Sequence, residues 1–157
     1  MGSDRTIWGA GNRIAVVMAP YVLLVAALNR WVLSSVRFPG TRAASTAVGL
    51  LGVAAGVGTI AASYRAVSNA LDGGELCTDG PYRFVRHPLY AAWIWLLLPG
   101  AALTLDLPLL LSASPVMYAV TRRFLPREEA TLEAEFGDEY EVYRDEVNAL
   151  VPTIDRR

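Results

Sequence analysis

Polar and apolar residues fall in long blocks along this chain, and the block lengths set the first expectations. An apolar block runs from Ile14 to Val36, with a clean part from Ile14 to Leu28 and Asn29, Arg30 and Trp31 near its end. The clean part is shorter than the ~20 residues a helix needs to cross a ~30 Å hydrocarbon core. Its polar end is therefore expected at an interface, with Arg30 reaching toward headgroups and Pro20 a possible kink site. Pro39-Gly40 reads as a turn. A second block, Ser45 to Tyr64, is rich in small residues and carries Gly49, Gly52, Gly56 and Gly58. The Gly52-x-x-x-Gly56 spacing is one that lets helices approach closely. Tight packing inside a bundle is the main reading; a wall against a ligand is the other.

From Arg65 to His87 the chain turns polar, with turn signals at Asp72-Gly73-Gly74 and Asp79-Gly80-Pro81. Backbone this polar belongs at a membrane face and not in lipid. The apolar run that starts at Pro88 and ends near Phe124 is too long for one crossing. Pro99-Gly100 and Asp106-x-Pro108 offer turn points, so a hairpin of helices over 88–103 and 107–124 is expected, with Pro115 a second kink site. In the tail, Leu132, Phe136, Tyr140, Tyr143 and Val147 recur at helical spacing with acids on the other faces. This predicts an amphipathic helix over Pro126 to Asn148. Pro126 suits its first turn, and Glu128 and Glu129 suit the positive end of its dipole.

These elements predict an all-α integral membrane protein. It has about four transmembrane helices (five if one span is split) and a C-terminal amphipathic cytosolic helix, in one domain over 1–157. The first block lacks a small-x-small cleavage site and is followed by further spans, so it reads as retained. Four spans place both termini on one side. Arg5, Arg13, Arg65, Arg83, Arg86, Arg122, Arg123 and Arg127 share that side, against Arg37 and Arg42 opposite. The positive-inside rule then puts both termini in the cytoplasm.

Composition sharpens the class. Of 157 residues, 54% are hydrophobic and 18% charged, against about 25% charged in soluble domains. Net charge is −1, with no basic excess to follow a phosphate backbone, so nucleic acid is not an expected partner. Cys77 is the single cysteine and His87 the single histidine. An internal disulfide is excluded, and the usual ligands for a protein-built zinc site are too few. Nothing in the sequence sets an oligomeric state.

Candidate chemistry concentrates in two groups. Gly80-Pro81-Tyr82-Arg83-Phe84-Val85-Arg86-His87-Pro88-Leu89-Tyr90 joins a turn, two arginines and the histidine to a proline-started helix. Free N–H groups at that helix end, with Arg86 and His87, make a place for a carboxylate or phosphate. An interfacial anchor of arginines and tyrosines accounts for the same residues equally well. The second group is Arg127-Glu128-Glu129. It reads as a solvated first turn, or as carboxylates brought against the Arg86-His87 turn. In that case a glutamate could hold a ligand ammonium or ribose while the arginine holds its carboxylate.

The two groups resemble the isoprenylcysteine carboxyl methyltransferase family and the wider set of small membrane methyltransferases that includes phospholipid methyltransferases. Gly80, Pro81, Tyr82, Arg86, His87, Pro88 and Tyr90 match one family block. Glu128, Glu129, Leu132, Phe136, Gly137, Tyr140 and Tyr143 match the second. The resemblance covers about 78–148, with Ala92 standing where the family usually has Gly. It implies an S-adenosyl-L-methionine-dependent methyltransferase whose cofactor comes from the cytosol and whose lipophilic acceptor comes from the membrane. The acceptor group would be a carboxylate, amine or thiol. Tyr82, Arg86, His87, Tyr90, Glu128, Glu129 and Tyr140 are the implied cofactor residues. Arg86, His87, Glu129 and Arg144 are the implied catalytic ones, and Glu129 ranks above Glu128. Arg127 and Arg144 are candidates for an acidic acceptor group. Membrane reductases of the 5-alpha-reductase type, which use NADPH, look similar around the arginine-histidine-proline-x-tyrosine segment. A non-enzymatic membrane scaffold is the third reading.

Overall fold

The computed structural model describes residues 11–153, without the side chains of Leu71 and Asp72. Arg5, counted above for orientation, lies outside them. All regular structure among the described residues is helical. Helix α1, Gly11–Val32, runs without interruption through Pro20 and ends in a π-helical turn over Leu28–Val32. Gly40, at φ 93°, makes the predicted turn. Helix α2, Arg42–Gly73, has 32 residues, and at ~1.5 Å per residue it is about 48 Å long. It exceeds the bilayer core and overruns the predicted turn at Asp72, which moves to Gly74 at φ 69°.

Helix α3, Pro88–Leu105, contains a π-helical turn over Trp93–Leu97. The physical cause is Pro99, which has no N–H and whose ring would strike the carbonyl four residues back. Widening the preceding turn relieves that clash, so Pro99-Gly100 lies inside the helix and makes no turn. The chain reverses instead at Asp106, in the left-handed conformation at φ 57°. A 3-10 turn over Pro108–Ser112 follows.

Helix α4, Ala113–Phe136, passes through Pro126, so the predicted start of a separate tail helix there is not observed. Pro115 falls in its first turn, where a missing N–H costs nothing. The break comes at Gly137, at φ 54°, and the short helix α5 covers Asp138–Glu146. Among the described residues, three helices are long and apolar enough to cross a membrane: Gly11–Val32, Arg42–Ala70 and Pro88–Leu105. The chain is thus a multi-pass, all-α integral membrane protein. Its predicted 107–124 arm is split between the 3-10 turn and the first half of α4.

α1 packs on α4, α4 on α3, and α2 along the far side of α3. The α2–α3 seam is backbone on backbone. A Cβ on Gly49 would lie 2.4 Å from Thr104 Oγ1 and 2.6 Å from the Gly100 carbonyl oxygen; one on Gly56 would lie 2.7 Å from Leu97. At Gly49 only glycine permits that approach, so this part of the stretch is a packing seam, while Ile60 and Tyr64 of the same stretch border a cavity on another face. Gly58 faces open space. The buried core joins Ile14 and Met18 of α1 to Ile94, Leu98 and Ala102 of α3 and Ala113, Met117 and Leu125 of α4.

The two ends of the bundle differ. At one end, Asp106 accepts hydrogen bonds from the Phe38 N–H and from Arg37, both at 3.1 Å, and Arg42 lies 3.5 Å away. Asn29, 1% exposed, accepts from the Leu109 N–H at 2.9 Å and donates to the carbonyls of Leu33 and Val36. At the other end lie Gly74–His87, the second half of α4, α5 and the segment 147–153. Both predicted chemical groups are at this end.

Candidate active site

Pro88 opens α3 because its missing N–H and fixed φ suit the first helical position. His87 precedes it as the cap residue and is 7% exposed. Arg86 therefore sits at the rim of the bundle, facing the middle of α4. Its Nε and Nη2 donate to one oxygen of Glu129, at 3.2 and 2.7 Å, and His87 Nε2 lies 3.3 Å from that same oxygen. Arg86 Nη1 donates to the carbonyls of Arg144 and Val147. All three nitrogens of the guanidinium are thus engaged. The hydrogen bond from His87, followed by that from Arg86, holds the Glu129 carboxyl at about 2, well below its ordinary 4.5.

Backbone bonds extend this clamp. The Arg86 and His87 N–H groups donate to the carbonyls of Asn148 and Ala149, and Thr153 N–H donates to Phe84. The Tyr143 hydroxyl donates to the Tyr82 carbonyl at 2.7 Å, and Trp95 Nε1 donates to the Leu150 carbonyl at 2.9 Å. Segment 143–153 is laced along 82–87. The amphipathic pattern stops at Asn148 and gives no sign of this strap, because an irregular backbone pairing leaves no periodicity.

Beside the clamp opens a cavity of about 1240 Å³. Its polar wall includes Arg13, Glu75, Arg86, His87, Arg127 and Glu128. Its apolar wall includes Met18 and Val22 of α1, Ile60 and Val67 of α2, and Trp93. The Tyr90 hydroxyl, on the polar wall, donates to Glu128 at 3.3 Å. Tyr82, Tyr140 and Tyr143 also border the cavity. Tyr140 is fully buried, and burial with the nearby Glu129 charge raises its phenol to about 12. Burial likewise raises Tyr82 and Tyr143. These phenols are fixtures of the wall in their neutral form. Cys77 is on the wall too, its thiol raised by burial.

The implied site residues thus separate into layers. Tyr82, Arg86, His87, Tyr90, Glu128 and Tyr140 line the cavity, while Glu129 stands behind Arg86 and His87 as their anchor. Arg86 and Glu129 spend their charges on each other, which differs from the expected division of a ligand's ammonium and carboxylate between them. Arg144 is not on the wall; its guanidinium pairs with Glu133 at 3.0 Å. Arg127 is on the wall, joined by Arg13, which the sequence offered only as a charge for orientation.

With this geometry in hand, comparison with known proteins decides the family. Residues 49–134 match the isoprenylcysteine carboxyl methyltransferase family. The chain belongs to this family. The match takes in most of α2, upstream of the motif blocks, and includes Arg86, His87, Glu128 and Glu129. Over 81 residues the chain is 40% identical to a protein-S-isoprenylcysteine O-methyltransferase of Schizosaccharomyces pombe. The aligned stretch is 50% of this chain and 34% of that protein. The chain therefore spans about a third of the length of this curated relative. Family membership favours the methyltransferase over the NADPH reductase and the scaffold among the readings weighed above.

Proposed function

We propose that this protein is an S-adenosyl-L-methionine-dependent methyltransferase acting on a lipophilic acceptor at the cytosolic face of the membrane. The observation that carries the reading is the composite cavity. Its polar end is walled by the family's own residues, and its other walls are apolar flanks of two membrane helices. A water-soluble cofactor and a lipid-soluble acceptor need such a meeting place.

The wall chemistry fits the cofactor. S-adenosyl-L-methionine carries two cationic centres and one carboxylate. Glu75 and Glu128 offer the first kind of partner, Arg13 and Arg127 the second. Glu128, oriented by Tyr90, would hold the ammonium, a role the sequence assigned first to Glu129. When bound, the cofactor supplies an electrophilic methyl group on a sulfonium. The protein's part is alignment and exclusion of water. Glu129 fixes Arg86 and His87, and these fix the rim. Met18, Val22, Ile60 and Val67 would carry the acceptor's apolar part.

The same reading takes 108–124 as a fourth crossing. At rises of ~2.0 Å for the 3-10 turn and ~1.5 Å for the helix, that stretch spans about 28 Å. Both termini then face the cytoplasm. In intact cells an impermeant maleimide should label a cysteine at Thr41 and not one at Asp138, with Cys77 replaced by Ser; the reverse pattern rejects this orientation.

Labelled S-adenosyl-L-methionine, added to purified protein with an extract of native membranes, should yield a labelled lipophilic product that identifies the acceptor. Calorimetric binding of NADPH with none of S-adenosyl-L-methionine would overturn the proposal.

A further inference from the structure

A second, smaller cavity of about 170 Å³ lies on the opposite side of α4, bordered by Tyr118, Arg122, Asn148, Ala149, Leu150 and Val151. Helix geometry keeps it apart from the large cavity. Tyr118 and Arg122, four residues apart, share one face of α4, whereas Met117, Phe124 and Glu128 share another. Arg122 is exposed and lies beside Tyr118, 6.0 Å from its ring centroid and 3.4 Å from its hydroxyl. No carboxylate among the described residues pairs with it. Asn148 is exposed on the facing wall. Half-exposed Trp95 packs near Tyr118, 6.1 Å between ring centroids, and its indole N–H is tied to Leu150. An arginine over a tyrosine, with a half-buried tryptophan beside that tyrosine, is the grouping found where lipid headgroups lie.

We propose that this recess binds the phosphodiester headgroup of an anionic phospholipid. Arg122 supplies the charge, Asn148 supplies amide donors, and Trp95 and Tyr118 border the upper acyl chain. The far wall of the recess is the strap itself. Asn148 and Ala149 are the residues whose carbonyls receive the Arg86 and His87 N–H groups. A headgroup bridging Arg122 and Asn148 fixes the strap to α4 and thereby steadies the Arg86-His87 rim from outside the catalytic cavity. This inference does not depend on the reaction catalysed.

The full chain is reconstituted in nanodiscs of phosphatidylcholine, with and without one-fifth phosphatidylglycerol. Phosphatidylglycerol is expected to raise the melting midpoint by several degrees. It is also expected to slow amide exchange of the peptide holding Arg86 and His87 several-fold. Arg122→Gln should abolish both gains while melting like the wild type in phosphatidylcholine discs. Arg123→Gln, on the next face of α4, should retain them. Should Arg122→Gln fold poorly, Asn148→Leu tests the same recess from the strap side. Equal loss in the Arg122 and Arg123 variants, or no gain in the wild type, overturns the site. Reproduction of the gains by millimolar inorganic phosphate in phosphatidylcholine discs overturns the lipid as its occupant.

Discussion

Arg86 and Glu129 meet through two hydrogen bonds on one carboxylate oxygen, and the rest of the Arg86 guanidinium holds the carbonyls of Arg144 and Val147. The pair joins three pieces of chain: the loop before α3, the middle of α4 and the end of α5. Arg86→Ala removes two of the three hydrogen bonds to the Glu129 oxygen, leaving the one from His87, and takes the donor from two carbonyls. The expected cost is about 1–3 kcal/mol for each group left unpaired, seen as a lower melting midpoint and as faster proteolysis after Arg144. Arg86→Lys keeps the charge but not the fork. It should recover part of the stability and leave the strap cleavable. Equal protection of the strap in both variants would refute the clamp.

Acid should open this clamp. The Glu129 carboxyl is held at about 2 against an ordinary 4.5, so the unfolded chain takes up the proton first. The stabilisation is complete above about pH 4.5 and fades as pH falls toward 2. Its size is at most on the order of 3 kcal/mol, reduced by solvent screening at the part-exposed carboxyl. Melting midpoints between pH 7 and 3 should fall more steeply for the wild type than for Glu129→Gln. Parallel slopes would remove Glu129 as the linked group.

The glycine seam predicts a sharp positional contrast. Gly49→Ala places a methyl less than 3 Å from α3 backbone and should cost about 1–3 kcal/mol as α2 is pushed off α3, whereas Gly56→Ala meets the Leu97 side chain, whose tip can turn aside, and should cost less. Gly58→Ala meets open space and should be neutral or add up to about 1 kcal/mol through helix propensity. Thermal unfolding in one detergent checks all three, and a Gly58 variant as damaged as Gly49→Ala would contradict the packing.

At the opposite end of the bundle, Asn29→Leu removes an acceptor from the Leu109 N–H and a donor from two carbonyls. Each buried group left unpaired costs about 1–3 kcal/mol. The melting midpoint should drop by several degrees while cofactor affinity, measured on protein that remains folded, stays put.

The apolar walls of the large cavity make a kinetic prediction. Met18→Trp or Ile60→Trp narrows the space between α1 and α2 without touching the polar wall. The acceptor's KM should rise at least several-fold with little change in that for S-adenosyl-L-methionine. A matching rise in both would place the cofactor, and not the acceptor, between these helices.

Much of this was written in the sequence, for definite reasons. Long apolar blocks can only be helices in lipid, so the elements were legible. The proximity of Glu128 and Glu129 to the Arg86-His87 turn was legible too, because both motif blocks lie at one membrane face. The division of labour between the two glutamates was not. Adjacent helical residues point about 100° apart, and which one meets the cavity depends on the rotation of α4. Pro126 misled because a proline tolerated inside a helix looks, in sequence, like one that starts it. Gly137 carried the true break, at a backbone angle that favours glycine. Arg13 entered the cavity through the packing of α1 on α4, a contact with no local signature.

The strap changes what it means for this protein to be heat-damaged. Its bonds join residues 55 to 69 positions apart, whereas the membrane helices are held by their own turns and the glycine seam. Beyond the buried side chains of Val147 and Leu150 the strap is held by these bonds, and a long loop closed so sparsely opens before a packed bundle does. Inactivation on warming should therefore precede loss of helicity, and should reverse on cooling for as long as α2 keeps its grip on α3.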